Sequence, residues 1–125
     1  MGDLSENFSS TEFACPCCGQ SDMDSGFIQK LQTLRDVLGV SIRIIPDGGG
    51  YRCSVYLNGS KSAHGEGRAA DLNISRSYYY EIITMAEGLG FTGIGIKNKD
   101  GKFQLHLDDA EEIPGVRPRP WIWTY

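Results

Sequence analysis

Only two residues of this 125-residue chain are histidine, His64 and His106, and each stands close to carboxylates. The first lies in Ser62-Ala63-His64-Gly65-Glu66-Gly67-Arg68-Ala69-Ala70-Asp71, the second in Phe103-Gln104-Leu105-His106-Leu107-Asp108. A chain that uses both for one purpose must bring two distant segments together, so this pair constrains the topology more than any other feature. Zn²⁺ takes imidazole nitrogen and carboxylate oxygen readily, and a catalytic zinc keeps three protein ligands and one open position. His64, Asp71 and His106 make such a set. The competing reading leaves His64 on a surface loop and His106 half-buried among satisfying neighbours. Spacing alone leaves both open.

The flanking patterns say where these residues sit. Alternation over 68–74 predicts a strand with Ala70, Leu72 and Ile74 on one face and Ala69, Asp71 and Asn73 on the other. Gly93–Lys97 and Lys102–Asp108 flank Asn98-Lys99-Asp100-Gly101, and Asp-Gly between alternating segments predicts a hairpin. In its second arm Phe103, Leu105 and Leu107 share the apolar face, while Gln104, His106 and Asp108 share the other. A short strand is expected over 41–45, ended by Pro46-Asp47-Gly48-Gly49-Gly50. The stripe Phe27, Ile28, Leu31, Leu34 and Leu38 predicts a helix over 25–38, capped by Asp24 or Ser25 and stopped by Gly39. Tyr79, Ile82, Ile83, Ala86 and Leu89 predict a second helix, opened by Ser75 or Ser77 and ended by Gly88 and Gly90. Residues 54–61 read as a polar loop. Residues 109–125, with three prolines, read as an irregular tail that wraps back to shelter Trp121 and Trp123.

The length suits one domain, 1–125, with an N-terminal arm over 1–20. In the arm, Ser9-Ser10-Thr11-Glu12 is a capping box, and Phe8 and Phe13 are expected to pin it to the body. Cys15-Pro16-Cys17-Cys18-Gly19 follows and resembles half a zinc knuckle; Cys53 is the one other cysteine. Free thiols, a disulfide to Cys53 and a structural metal all fit. A net charge of −4, with no basic stripe among the aromatics, excludes a broad nucleic-acid footprint. No apolar run approaches a membrane span, and the first residues carry no secretory signal. The expectation is a monomer, cytoplasmic as synthesised.

Ser62-x-His64-x-x-Gly67-x-Ala69-x-Asp71 resembles, at all five fixed positions, the signature of the zinc D-Ala-D-Ala carboxypeptidase family. That family shares its fold with the Hedgehog signalling domain and includes phage endolysins. His106-Leu107-Asp108 resembles the second motif of a small single-domain branch, as do Tyr51-Arg52-Cys53, the segment from Phe8 to Cys15 and the Arg/Trp/Tyr-rich end. The resemblance implies an α+β fold, with a small antiparallel sheet and flanking helices, and zinc bound by His64, Asp71 and His106. It implies hydrolysis of peptidoglycan stem peptides, by a carboxypeptidase or an endopeptidase, through a metal-activated water. Such an enzyme would act on the cell wall once released, consistent with a phage or prophage origin. Arg52 resembles the arginine that binds substrate near the scissile bond, and Ser62 a serine that holds substrate or orients the site. The usual general-base positions hold Phe103 and Gln104 instead. That leaves Asp108, as base or as support for His106, and Glu66 as candidates. The alternative is a zinc-binding interaction module or phage structural component with little or no turnover.

Overall fold

Helix α1 (Ser25–Leu38) begins where the Asp24 carboxylate accepts the Phe27 amide, and it stops at Gly39. In the computed structural model, which describes residues 2–125, its stripe of Phe27, Ile28, Leu31 and Leu34 is buried. Helix α3 (Tyr79–Leu89) follows a 3-10 turn at Arg76–Tyr78 that Ser75 caps, and it lays Tyr79, Ile82 and Ala86 on the same core. A single-turn helix, α2 (Ser54–Leu57), stands inside the segment expected to be loop. One turn is too short for a 3.6-residue period to register in sequence.

The strands are β1 (Arg43–Ile44), β2 (Ala69–Asn73), β3 (Gly93–Lys99), β4 (Lys102–Asp108) and β5 (Trp121–Thr124), in the order β1-β2-β4-β3-β5. Asp100 and Gly101 both take positive φ, 54° and 79°, as a tight hairpin turn between β3 and β4 requires. β4 inserts between β2 and β3, and these pairings are antiparallel. The protein is thus α+β, a five-stranded sheet with flanking helices.

The tail departs from expectation. Trp121–Thr124 pairs in parallel with β3 rather than lying irregular. β3 would otherwise present a row of unpaired amides and carbonyls at the sheet edge. The wrap covers that edge more than it covers the rings: Trp121 stays 47% and Tyr125 53% exposed.

The two sheet faces divide the labour. Ala70, Leu72, Ile94, Leu105 and Leu107 pack on α1 and α3. Leu72, Leu105 and Leu107 are fully buried and contribute about 1.5–3 kcal/mol apiece. The opposite face carries Asp71, His106 and Asp108. The arm closes the body with Phe8 and Phe13 fully buried, the Ser9–Glu12 capping box formed, and the Tyr51 amide donating to the Phe13 carbonyl at 2.9 Å. Among the described residues, no helix is long and apolar enough to cross a membrane.

Candidate metal centre

Strand register assembles most of the site. Asp71, His106, Gly95 and Trp123 stand in one row across β2, β4, β3 and β5. Residues paired in register share a face, so the Asp71 carboxylate and the His106 ring become neighbours by backbone pairing alone. His64 arrives separately, on a 3-10 turn at Ala63–Glu66. The Ser62 hydroxyl opens that turn by accepting the His64 amide at 3.2 Å. Gly67 closes it in a left-handed conformation, φ 68°, where a Cβ would lie 2.1 Å from the Asp22 carbonyl oxygen.

His64 Nε2 lies 3.4 Å and His106 Nδ1 3.1 Å from the same atom, Asp71 Oδ1. All three donor atoms are within 4.8 Å of one another, and the three residues are 3%, 5% and 6% exposed in chain order. Donors about 2.0–2.1 Å from a tetrahedral ion sit roughly 3.3 Å apart, so the set fits zinc. Both rings are aimed from behind. The Gly50 carbonyl can only accept, so it takes the His64 Nδ1 proton at 2.8 Å and leaves the Nε2 lone pair inward. Asp108 Oδ2 takes the His106 Nε2 proton at 2.6 Å and leaves Nδ1 inward.

Asp108 is fully buried beneath Arg119, which donates to it through Nε at 2.9 Å and Nη2 at 2.7 Å; the Ala110 amide adds a third donor at 3.2 Å. Burial pushes its carboxyl up, but His106 and Arg119 outweigh that and hold it at about 2. A Cβ on Gly93 would lie 2.4 Å from both carboxylate oxygens, so the bare backbone of β3 makes room for the charge. For Asp71, burial is likewise outweighed by the two imidazoles, which keep it well below the usual carboxylate range. Burial pushes His64 down, toward the neutral ligand form. For His106, burial is outweighed by Asp108 and Asp71, and its pKa is raised.

That last shift has a measurable consequence. In the metal-free protein the extra His106 proton stabilises the fold below the imidazole's unfolded pKa, and this contribution is lost as pH rises through the raised folded value. A zinc ion held by His106 Nδ1 would have to displace the same proton. Zinc affinity should therefore fall as pH drops through that value, with about one proton released per ion. Competition against a chromophoric chelator at stepped pH measures this; an affinity flat with pH would rule out His106 as the ligand.

The other sequence candidates separate in space. Arg52 joins the centre, with Nη2 on Asp71 Oδ2 at 3.0 Å and Nε on the Gly48 carbonyl at 2.6 Å. Asp108 joins it from behind His106, in the supporting position rather than beside Asp71. Ser62 and Glu66 line a groove of about 550 Å³ that none of the three donors lines. Glu66 is engaged there by buried Arg117, Nη1 to Oε2 at 2.5 Å.

Three contributors lie in the Arg/Trp/Tyr-rich end, to which the sequence reading assigned no site role. They are Arg119 over Asp108, the Trp123 ring 5.1 Å from the His106 ring, and Tyr125. Burial first, then the Asp71 carboxylate, pushes the Tyr125 phenol up to about 12, with Arg52 opposing, so the phenol lies within electrostatic reach of the centre. The available signal was the period-two run Arg119, Trp121, Trp123, Tyr125, which marks one strand face.

Among protein families, the model described as Peptidase M15 matches residues 6–108, a span that includes both histidine segments and ends before Arg119. No curated protein and no solved structure matches the chain.

Proposed function

The chain belongs to the peptidase M15 family of zinc-dependent hydrolases, and on that premise we propose that it hydrolyses peptidoglycan stem peptides, as a D-Ala-D-Ala carboxypeptidase or an endolysin-type endopeptidase. The observation that carries this reading is the convergence of His64 Nε2 and His106 Nδ1 on Asp71 Oδ1, with each ring's outer nitrogen already engaged. Two imidazoles and one carboxylate leave room for a reacting group, as a catalytic site must.

Bound there, zinc supplies Lewis-acid polarisation of a carbonyl and a water acidic enough to react near neutral pH. The chain's own groups do the rest. Asp71 brings the negative charge that a dication needs in a buried place. Arg52, held against Asp71, presents a planar cation to a substrate carboxylate or to the oxyanion developing at the scissile carbonyl. Asp108 acts as a positioning residue: it fixes the His106 ring and tautomer while Arg119 balances its charge. The protonated Tyr125 phenol offers a hydrogen-bond donor rather than a base. Ser62 acts through the turn that carries His64.

A second reading, a zinc-bearing interaction module without turnover, is favoured by one observation. Both candidate base carboxylates, Asp108 and Glu66, are engaged by arginines. Incubation of the zinc-loaded protein with defined stem peptides, followed by mass spectrometry, decides between them. The expected result is release of terminal D-Ala or a split cross-link, abolished by a chelator and restored by zinc. Full zinc occupancy with every stem peptide intact would overturn the peptidase and leave the module.

A further inference from the structure

The four cysteines take no part in the centre described above, yet they gather at one place. Cys15, Cys17 and Cys18 come from the arm, and Cys53 comes from the loop directly after Arg52. The sulfurs of Cys15, Cys18 and Cys53 lie within 4.8 Å of one another, and Cys17 is the residue directly before Cys18. All four are free thiols. Backbone from two segments is shaped around them. The Cys53 amide donates to Cys15 Sγ at 3.4 Å. Gly19, at φ 76°, turns the chain back so that the Cys15 amide meets the Gln20 carbonyl at 2.7 Å.

A neutral thiol is a weak acceptor. A sulfur 2% exposed to solvent that accepts a backbone amide, with two further sulfurs within 4.8 Å, is arranged for a thiolate. Several thiolates cannot crowd together without a cation between them, because like charges at such separations repel strongly. A disulfide would use two of the sulfurs and leave a third beside them without a role. Soft sulfur donors in a closed set are the ligands of structural zinc.

We propose that Cys15, Cys18 and Cys53, with Cys17 completing the set, hold a second and structural Zn²⁺ in all-sulfur coordination. This ion fastens the arm to the segment Gly50–Cys53. That segment already serves the first centre: the Gly50 carbonyl aims His64, Arg52 reaches Asp71, and the Tyr51 amide is tied to Phe13. The thiolate site is thus a clamp on the loop that orients the hydrolytic centre.

The test uses the full chain purified under reducing conditions, analysed for zinc and then reloaded with Co²⁺. The expected result is two equivalents of metal per chain and a strong sulfur-to-cobalt charge-transfer band in the near ultraviolet. The cysteines should resist a thiol reagent until a chelator is added. Cys18→Ser should lose the band and one equivalent. His64→Ala should keep the band and lose the other equivalent, so failure of this site and failure of the hydrolytic centre give different patterns. One equivalent without the band overturns the proposal, either with four reactive thiols or with a disulfide found by mass. The band is read on the unaltered chain, so a variant that fails to fold leaves the test intact.

Discussion

If the proposed hydrolytic centre is correct, His64→Ala is expected to lose its zinc and hydrolysis together. The imidazole supplies one of three donors, and the remaining pair, Asp71 Oδ1 and His106 Nδ1, is only 3.1 Å apart. Two donors on one side of an ion do not make a site that competes with water and chelators. The loss extends beyond the ligand. The Gly50 carbonyl, which accepts from His64 Nδ1, is left without that partner in a buried position, at a cost of about 1–3 kcal/mol. Equilibrium dialysis should show the missing equivalent of zinc, and release of product from stem peptides should fall to assay background. Circular dichroism checks that the sheet survives, since α1, α3 and the leucine face of the sheet do not touch this loss. A folded variant with wild-type zinc content and turnover would remove His64 from the site.

Arg119→Ala is expected to be the most destabilising single change on the site face. Asp108 is fully buried, and Arg119 supplies two of its donors from a side chain itself 7% exposed. Removing one partner of a buried pair leaves an uncompensated charge, at about 3–5 kcal/mol. In a domain of this size that lowers the melting temperature by about ten degrees or more. The sign of the pH dependence follows from the Asp108 carboxyl, held at about 2. Its contribution is present above the unfolded carboxylate pKa and is lost as pH falls through that lowered value. Adding Asp108→Asn should recover part of the loss, because no charge then remains buried, and a double-mutant cycle measures the coupling. Since Asp108 holds the His106 ring, each variant should also weaken zinc binding by about 10–100-fold. Unchanged melting and unchanged zinc affinity in Arg119→Ala would refute the role given to the Arg119–Asp108 pair.

The site was legible in sequence to the extent that its logic is local. Strand parity put Asp71 opposite Leu72 and put His106 with Asp108, because side chains alternate along any strand whatever it pairs with. Asp100-Gly101 announced the hairpin, and Asp24 and Gly39 bounded α1. Phe103, at one usual base position, lies half-buried against the core with the Arg76 guanidinium 3.9 Å over its ring, so it contributes packing there. The tail was not legible as a strand. Four residues after a run of prolines carry too little pattern, and their partner is an edge of β3 that exists only once the sheet is built.

The sequence by itself marked most of the elements, the family resemblance and the three candidate donors, since these rest on residue type and short spacing. The tertiary structure alone decided how the donors are used. Register set Asp71 against His106, the Gly50 carbonyl and Asp108 chose which nitrogen of each ring faces inward, and the returning tail brought Arg119 over a carboxylate that could not otherwise remain charged in the interior. The physical reason is the reach of the interactions. Turns, caps and alternation act within a few residues, whereas a buried charge takes its partner from whatever the fold sets beside it.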